Sequence, residues 1–295
     1  MRKIRIIIGK IAIPKKYFIT KHIFILASWF PNDNKPLNGN FIRRHSEALT
    51  KEYKVSLVHI YFSDRMEVEE VNATESKSGL YTIKIGLPKC KGVLKYLKSA
   101  KALWQGYKMA KQYNGNIELT FLNVFYPLGV HLPWFRFFVR KPIFALEHWT
   151  GYHFQGSPSP THLKVARAMS KYCKKVIGVS KDLNKAMISC GLKNVGPVVY
   201  NVVDTNLFNY EKTEIAQDAF RFLHVSSLKQ EHKNFEMLLE AFSVMKNIKG
   251  AELHVINSGD EKPYCDLIQK LGIQKKVKFY GVQSIAKVAS LMKSA

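Results

Sequence analysis

Apolar residues arrive in short unbroken runs, and between the runs they recur every three or four positions. The two patterns alternate along the chain. The run at 22–28, HIFILAS, predicts a strand buried on both faces, as in a parallel sheet. Further strands are predicted at 55–61, 81–85, 117–122, 142–147 and 175–179. Helical spacing falls between them at 41–52, 93–113, 161–172 and 181–190, the last capped by Ser180. Residues 64–79 are polar and acidic and read as a loop or an edge insertion. Strand and helix in alternation imply a parallel sheet with right-handed crossovers.

After 198–208, VVYNVVDTNLF, the pattern restarts, which predicts a second α/β domain. Its opening, 220–242 (FRFLHVSSLKQEHKNFEMLLEAF), reads as a strand at 220–225, a break at Ser226 and Ser227, then a helix. Asn234 is placed to cap that helix, with Phe235, Leu238, Leu239 and Phe242 on its inner stripe. A helix N-terminus after a strand suits an anion, and Lys233 adds a full positive charge beside it. On spacing alone, a phosphate site and a plain crossover with a solvated lysine are both open. Strands at 252–256 and 277–280 and helices at 262–271 and 285–293 complete the count.

A polypeptide of 295 residues accommodates two such domains. The expected division is a basic extension at 1–20, a first domain at 21–200, a linker at 201–219 and a second domain at 220–295. The extension is set outside the fold because Lys10, Pro14, Lys15 and Lys16 interrupt its isoleucines, which also argues against a signal peptide. No apolar stretch is long enough for a membrane span. The four cysteines form no CxxC pair, which fits a reducing cytoplasm and disfavours zinc.

Charge changes this picture more than composition does. The formal net charge is +24, which fits nucleic acid, an anionic membrane surface or a phosphate-bearing substrate. The cations are dispersed and no nucleic-acid-binding signature appears, so no nucleic-acid partner is expected. The stretch 134–141, WFRFFVRK, mixes aromatics with cations. It is either a contact with lipid head groups or an amphipathic helix packed on the sheet with its arginines in water.

Five segments, taken in order, resemble family 4 retaining glycosyltransferases of the GT-B fold. They are 27–40 with Gly39 in its loop; Glu147-His148-Trp149; Val179-Ser180 before a helix; Asn201-Val202-Val203-Asp204 with Phe208; and 225–234 with Ala241-Phe242. Gly259-Asp260 and Phe279-Tyr280-Gly281 extend the likeness. The resemblance implies two Rossmann-like domains with parallel sheets facing a cleft, acceptor on the first and nucleotide sugar on the second. It implies that Lys233 contacts the donor diphosphate, with Ser227 and Gly259 also on the donor. Gly39 would let backbone approach the donor phosphate, as a residue without Cβ can, or it is a plain turn glycine. His148 would bond a donor sugar hydroxyl, or it is a buried structural histidine. Asn40 and Glu147 would lie on the acceptor side, or Glu147 is an acid satisfied by its own strand end.

The sequence departs from that family in two places. Ser226-Ser227 stand where many members carry glycine and arginine, and the acidic loop expected after the last helix is missing. The second domain is therefore expected to be incomplete and the protein C-terminally truncated. The expected activity is transfer of a sugar from a nucleoside diphosphate sugar to a glycan or lipid-linked acceptor, in cell-surface polysaccharide or lipopolysaccharide synthesis. The alternative is a non-catalytic fragment, or a nucleotide-sugar-binding subunit that needs a separate partner. No cofactor or metal is expected, and the location implied is cytoplasmic, on the inner face of the membrane.

Overall fold

A computed structural model describes residues 5–8, 21–153, 160–209 and 220–295. The protein divides into two compact units, Met1–Val202 and Val203–Ala295. The linker expected at 201–219 straddles this division, and its residues 210–219 lie outside the described residues.

The first unit runs β1 (Arg5–Ile8), β2 (His22–Ala27), α1 (Asn40–Leu49), β3 (Lys54–Ser63), β4 (Glu70–Glu75), β5 (Leu80–Pro88), α2 (Gly92–Asn114) and β6 (Ile117–Asn123). It continues with α3 (Leu132–Val139), β7 (Ile143–Glu147), α4 (Pro160–Ser170), β8 (Lys175–Gly178), α5 (Lys181–Ser189) and β9 (Val195–Val198). The strands form one sheet in the order β1-β4-β5-β3-β2-β6-β7-β8-β9. All neighbours are parallel except β4 against β5.

The buried run of β2 explains why this sheet is covered on both faces. Phe24 and Leu26 enter one core with Ala102 and Leu103 of α2, while Ile23, Ile25 and Ala27 enter another with Ile42 of α1. Alternate side chains of a strand point to opposite faces, so an all-apolar strand needs a helix layer on each side. From β2 the chain winds outward through β3 and β5, then returns to place β6, β7, β8 and β9 on the other side. The switch point of the sheet is therefore the crevice beyond the carboxyl ends of β2 and β6.

The structure corrects two expectations here. Part of the polar stretch 64–79 is strand β4, paired antiparallel with β5 over Glu70–Glu75. Arg5–Ile8, set outside the fold by its charges, pairs with β4 at the sheet edge. The rest of the expected extension, 1–4 and 9–20, lies outside the described residues. Ser180 caps α5 as expected, its Oγ accepting from the Leu183 N–H at 3.0 Å.

The second unit contains β10 (Phe220–Ser226), α6 (Gln230–Lys233), α7 (Phe235–Ser243), β11 (Ala251–Asn257), α8 (Cys265–Leu271), β12 (Val277–Phe279) and α9 (Ile285–Lys293). Its three strands are parallel in the order β10-β11-β12. Phe235, Leu239 and Phe242 of α7 pack with Leu253 and Val255 of β11.

Candidate active site

In the first unit, the loops beyond β2, β3 and β6 enclose a cavity of about 690 Å³ at the switch point. Ser28, Trp29, Asn32, His59, Tyr61 and Tyr126 are among its lining residues. The Leu128 N–H donates to Ser28 Oγ at 3.0 Å, which ties the β2 and β6 loops together. His59 is fixed in one tautomer. Its Nδ1–H donates to the Ala27 carbonyl at 2.8 Å, and its Nε2 accepts from the Asn32 amide at 3.1 Å. Burial pushes its pKa down to about 4, so it is a neutral polar wall at physiological pH. A second cavity of about 640 Å³ shares Asn34, Phe62, Gly92 and Lys95 with the first and adds Arg65, Lys91 and Lys89, the last paired with Asp64 at 2.8 Å. Tyrosine faces, amide side chains and cations together suit a hydroxyl-rich ligand carrying negative charge.

The anticipated residues of this unit cluster beside that cavity without lining it. Gly39 is the N-cap of α1 with φ +68°, and a Cβ there would fall 2.5 Å from the Trp29 carbonyl oxygen. The surrounding backbone therefore demands a glycine. The Asn40 amide donates to the Leu37 carbonyl at 3.2 Å.

Glu147 closes β7 fully buried, and its carboxylate accepts the N–H groups of Phe125 (3.0 Å) and Trp149 (3.3 Å). Burial pushes its pKa up to about 7, against the pull of those backbone donors. In this structure Glu147 brackets the loops that follow β6 and β7.

His148 stacks on Phe41 of α1 at 4.2 Å and meets His45 edge-on at 5.5 Å. Neither of its ring nitrogens reaches a hydrogen-bond partner among the described residues. Burial, and His45 next to it, push its pKa down to about 3; the nearby Asn201 amide opposes weakly. His148 is therefore a neutral imidazole. His45 itself was not anticipated. It is buried, and its Nε2 lies 3.2 Å from Asn201 Oδ1 in the segment that resembles the interdomain motif. The histidine in an otherwise surface-like RRH triplet was the only sequence signal.

In the second unit, the loops beyond β10 and β11 meet at the carboxyl end of the sheet. A Cβ on Gly259 would fall 2.1 Å from the Ser227 carbonyl oxygen, so these two anticipated residues are in close backbone contact. The Asn257 amide holds the second loop by donating to the Gly259 carbonyl at 2.8 Å. Ser226 Oγ accepts the Leu228 N–H at 3.0 Å. Lys233 is exposed at the end of α6, a single turn that replaces the loop expected between strand and helix. Its charge lies near enough to add to burial in lowering the pKa of His224 on β10. Asn234 stands at the N-cap of α7, as expected. Its backbone is left-handed, however, and its side chain does not cap the helix. Instead its Oδ1 accepts from the Gln230 amide at 2.9 Å.

A doubly wound α/β first unit and a parallel α/β second unit are the architecture of the GT-B glycosyltransferases. Solved structures with that fold align over nearly the whole chain. Sucrose-phosphate synthase from Thermosynechococcus elongatus aligns with TM-score 0.65 and 15% identity, over 93% of this chain and 74% of its own. The apo lipopolysaccharide outer core galactosyltransferase WaaB aligns with TM-score 0.58 and 17% identity, over 92% and 71%. The catalytic domain of starch synthase IV from Arabidopsis thaliana, bound to ADP and acarbose, aligns with TM-score 0.60 and 9% identity, over 94% and 77%. No curated protein matches by sequence. Residues 207–295 match the model of the glycosyl transferases group 1 family.

Proposed function

We propose that the protein transfers a sugar, with retention of anomeric configuration, from a nucleoside diphosphate sugar to a glycan or lipid-linked acceptor of the cell surface. The observation that carries this reading is the close approach of Ser227 and Gly259 at the carboxyl end of the sheet, with Lys233 following on α6, within the segment that matches the family. As the sugar departs, negative charge grows on the diphosphate. Lys233 offsets it as a point charge, and the close-packed loops beyond β10 and β11 bring backbone up to the phosphates. In this reading His148, a neutral imidazole, bonds a hydroxyl of the donor sugar. The cavity at the switch point of the first unit takes the acceptor. The work takes place in the cytoplasm, at the inner face of the membrane. No helix among the described residues is long and apolar enough to cross a membrane.

Calorimetric titration of the full-length protein with uridine, guanosine, adenosine and cytidine nucleotide sugars tests the donor half. One of them should bind, and Lys233→Ala should weaken the diphosphate-bearing ligand while leaving the bare nucleoside unchanged. Equal weakening of both would remove Lys233 from the phosphates.

A further inference from the structure

We infer that the outward face of α2, continued by the end of α3, is a docking surface for an anionic lipid bilayer. The inner stripe of α2 is fully used. Ala102, Leu103, Gly106 and Ala110 pack on the sheet, and a Cβ on Gly106 would fall 2.8 Å from Val58. The opposite stripe, spaced at three and four, is Leu94, Leu97, Lys101, Trp104 and Lys108. Leu94 is 53% exposed and Leu97 57%, although a leucine facing water has no packing to gain there. The Trp104 ring lies 6.2 Å from Phe138 and 6.5 Å from Trp134, so the stripe runs on into α3.

On α3, Leu132 and Phe135 face the core, while Phe137 and Phe138 stand 66% and 64% exposed. Of the two sequence readings of 134–141, the packed helix is seen on the inner side of α3, and lipid contact is the inference drawn for its outer side. Exposed leucines on α2 and exposed phenylalanines on α3, the two helices in contact through Trp104, are not the singly scattered apolar residues of an ordinary surface.

The charge around the patch selects its occupant. Neither α2 nor α3 contains an acid, and between Glu75 and Glu147 the only one is Glu118, which lies 3.6 Å from Lys141. Lys108 sits over the Trp104 ring at 5.7 Å, and Arg140 and Lys141 follow Phe138. Glu75 meets only the far end of α2, accepting from the Tyr113 hydroxyl at 2.9 Å. Exposed apolar side chains interleaved with Lys101, Lys108, Arg140 and Lys141 match the boundary between acyl chains and anionic head groups. A second copy would press like charge on like charge. Nucleic acid would use the lysines and leave the leucines and phenylalanines without a role. The first turn of α2 also supplies Lys95 and Tyr96 to the cavity at the switch point, so a bilayer here would lie beside it. On the reading proposed above, a lipid-linked acceptor would reach the cavity from the membrane plane. The docking itself does not depend on that reading.

Sedimentation of the full-length protein with vesicles tests the surface, with no donor present, so its failure and a failure of sugar transfer are separate results. Binding should occur to phosphatidylcholine mixed with phosphatidylglycerol, be weak on phosphatidylcholine alone, and fall with added salt. Lys101→Gln with Lys108→Gln should weaken it about 30-fold, from roughly 1 kcal/mol per cation. Leu94→Ser with Leu97→Ser, and Phe137→Ser with Phe138→Ser, should each abolish most of the remaining binding while leaving circular dichroism unchanged. Equal binding to both vesicle types, indifference to these substitutions, or a dimer in solution that the same substitutions dissociate would overturn the inference. Displacement from vesicles by random DNA, with the serine variants still binding that DNA normally, would also assign the face to nucleic acid and overturn it.

Discussion

Replacing Glu147 by glutamine probes how the first unit holds its site loops, and the effect should depend on pH in a defined direction. The carboxyl is fully buried with a pKa of about 7, against an ordinary value of 4.5. In the folded state it keeps its proton to higher pH than in the unfolded state. The folded state therefore binds more protons between about pH 4.5 and 7, and the contribution of this group to stability falls as pH rises through that window. At about 1.4 kcal/mol per unit, the loss reaches roughly 3 kcal/mol above pH 7. Glutamine has nearly the same shape and does not titrate. It still accepts one of the N–H groups of Phe125 and Trp149, but turns its own N–H₂ toward the other. That mismatch costs about 1–3 kcal/mol at every pH. Glu147→Gln should thus be less stable than the parent at pH 5, and equal or more stable at pH 8. The difference between the two proteins should move by roughly 6–12 °C in Tm for a unit of this size. Thermal unfolding of both proteins across pH 5–8 measures it, and taking the difference removes every other titrating group. A gap that stays constant with pH would refute the assignment of a raised pKa to this carboxyl.

Other outcomes follow from the same geometry. Gly39→Ala should lower stability by at least about 2 kcal/mol, because alanine is strained at φ +68° and its Cβ meets the Trp29 carbonyl; thermal melting checks it. His148→Phe keeps the ring on Phe41 but removes both nitrogens, so transfer should fall while affinity for the bare nucleotide and Tm stay near the parent values; loss of nucleotide affinity would take His148 off the sugar. His59 and His162, held near pKa 4, and His148, near 3, are all neutral when folded. Their contribution is complete above pH 6.5 and lost as pH falls toward 4, so acid titration followed by tryptophan fluorescence should show first-unit unfolding beginning in that range.

The parts of the fold legible in the sequence are those whose signal is local. The run at β2 announces burial on both faces, and Ser180 announces a helix start; both are found. Strand β4 was not legible because EVNATE is polar and short, and it is held by antiparallel pairing with β5, which no local pattern encodes. The same is true of β1, where charges flank a four-residue strand paired at the sheet edge. At the site, Ser227 and Gly259 lie far apart in sequence, and the parallel register of β10 and β11 brings them together. His45 escaped notice because RRH reads as a solvated helix face; only the packing of α1 against the end of β7 turns it to His148. His59 had a legible clue, a histidine inside the apolar run of β3, but its bonds to Ala27 and Asn32 depend on the neighbouring strand and the loop after it.

Sugar transfer by the full-length protein is the most direct measurement of the central claim. The protein is incubated with the nucleotide sugar that binds it and with membrane and polysaccharide extracts, and the released nucleoside diphosphate and labelled glycan are both quantified. The account predicts release coupled to label transfer, reduced on the order of a hundredfold by Lys233→Ala without loss of fold. Binding of no nucleotide sugar, or transfer indifferent to Lys233→Ala, would contradict it.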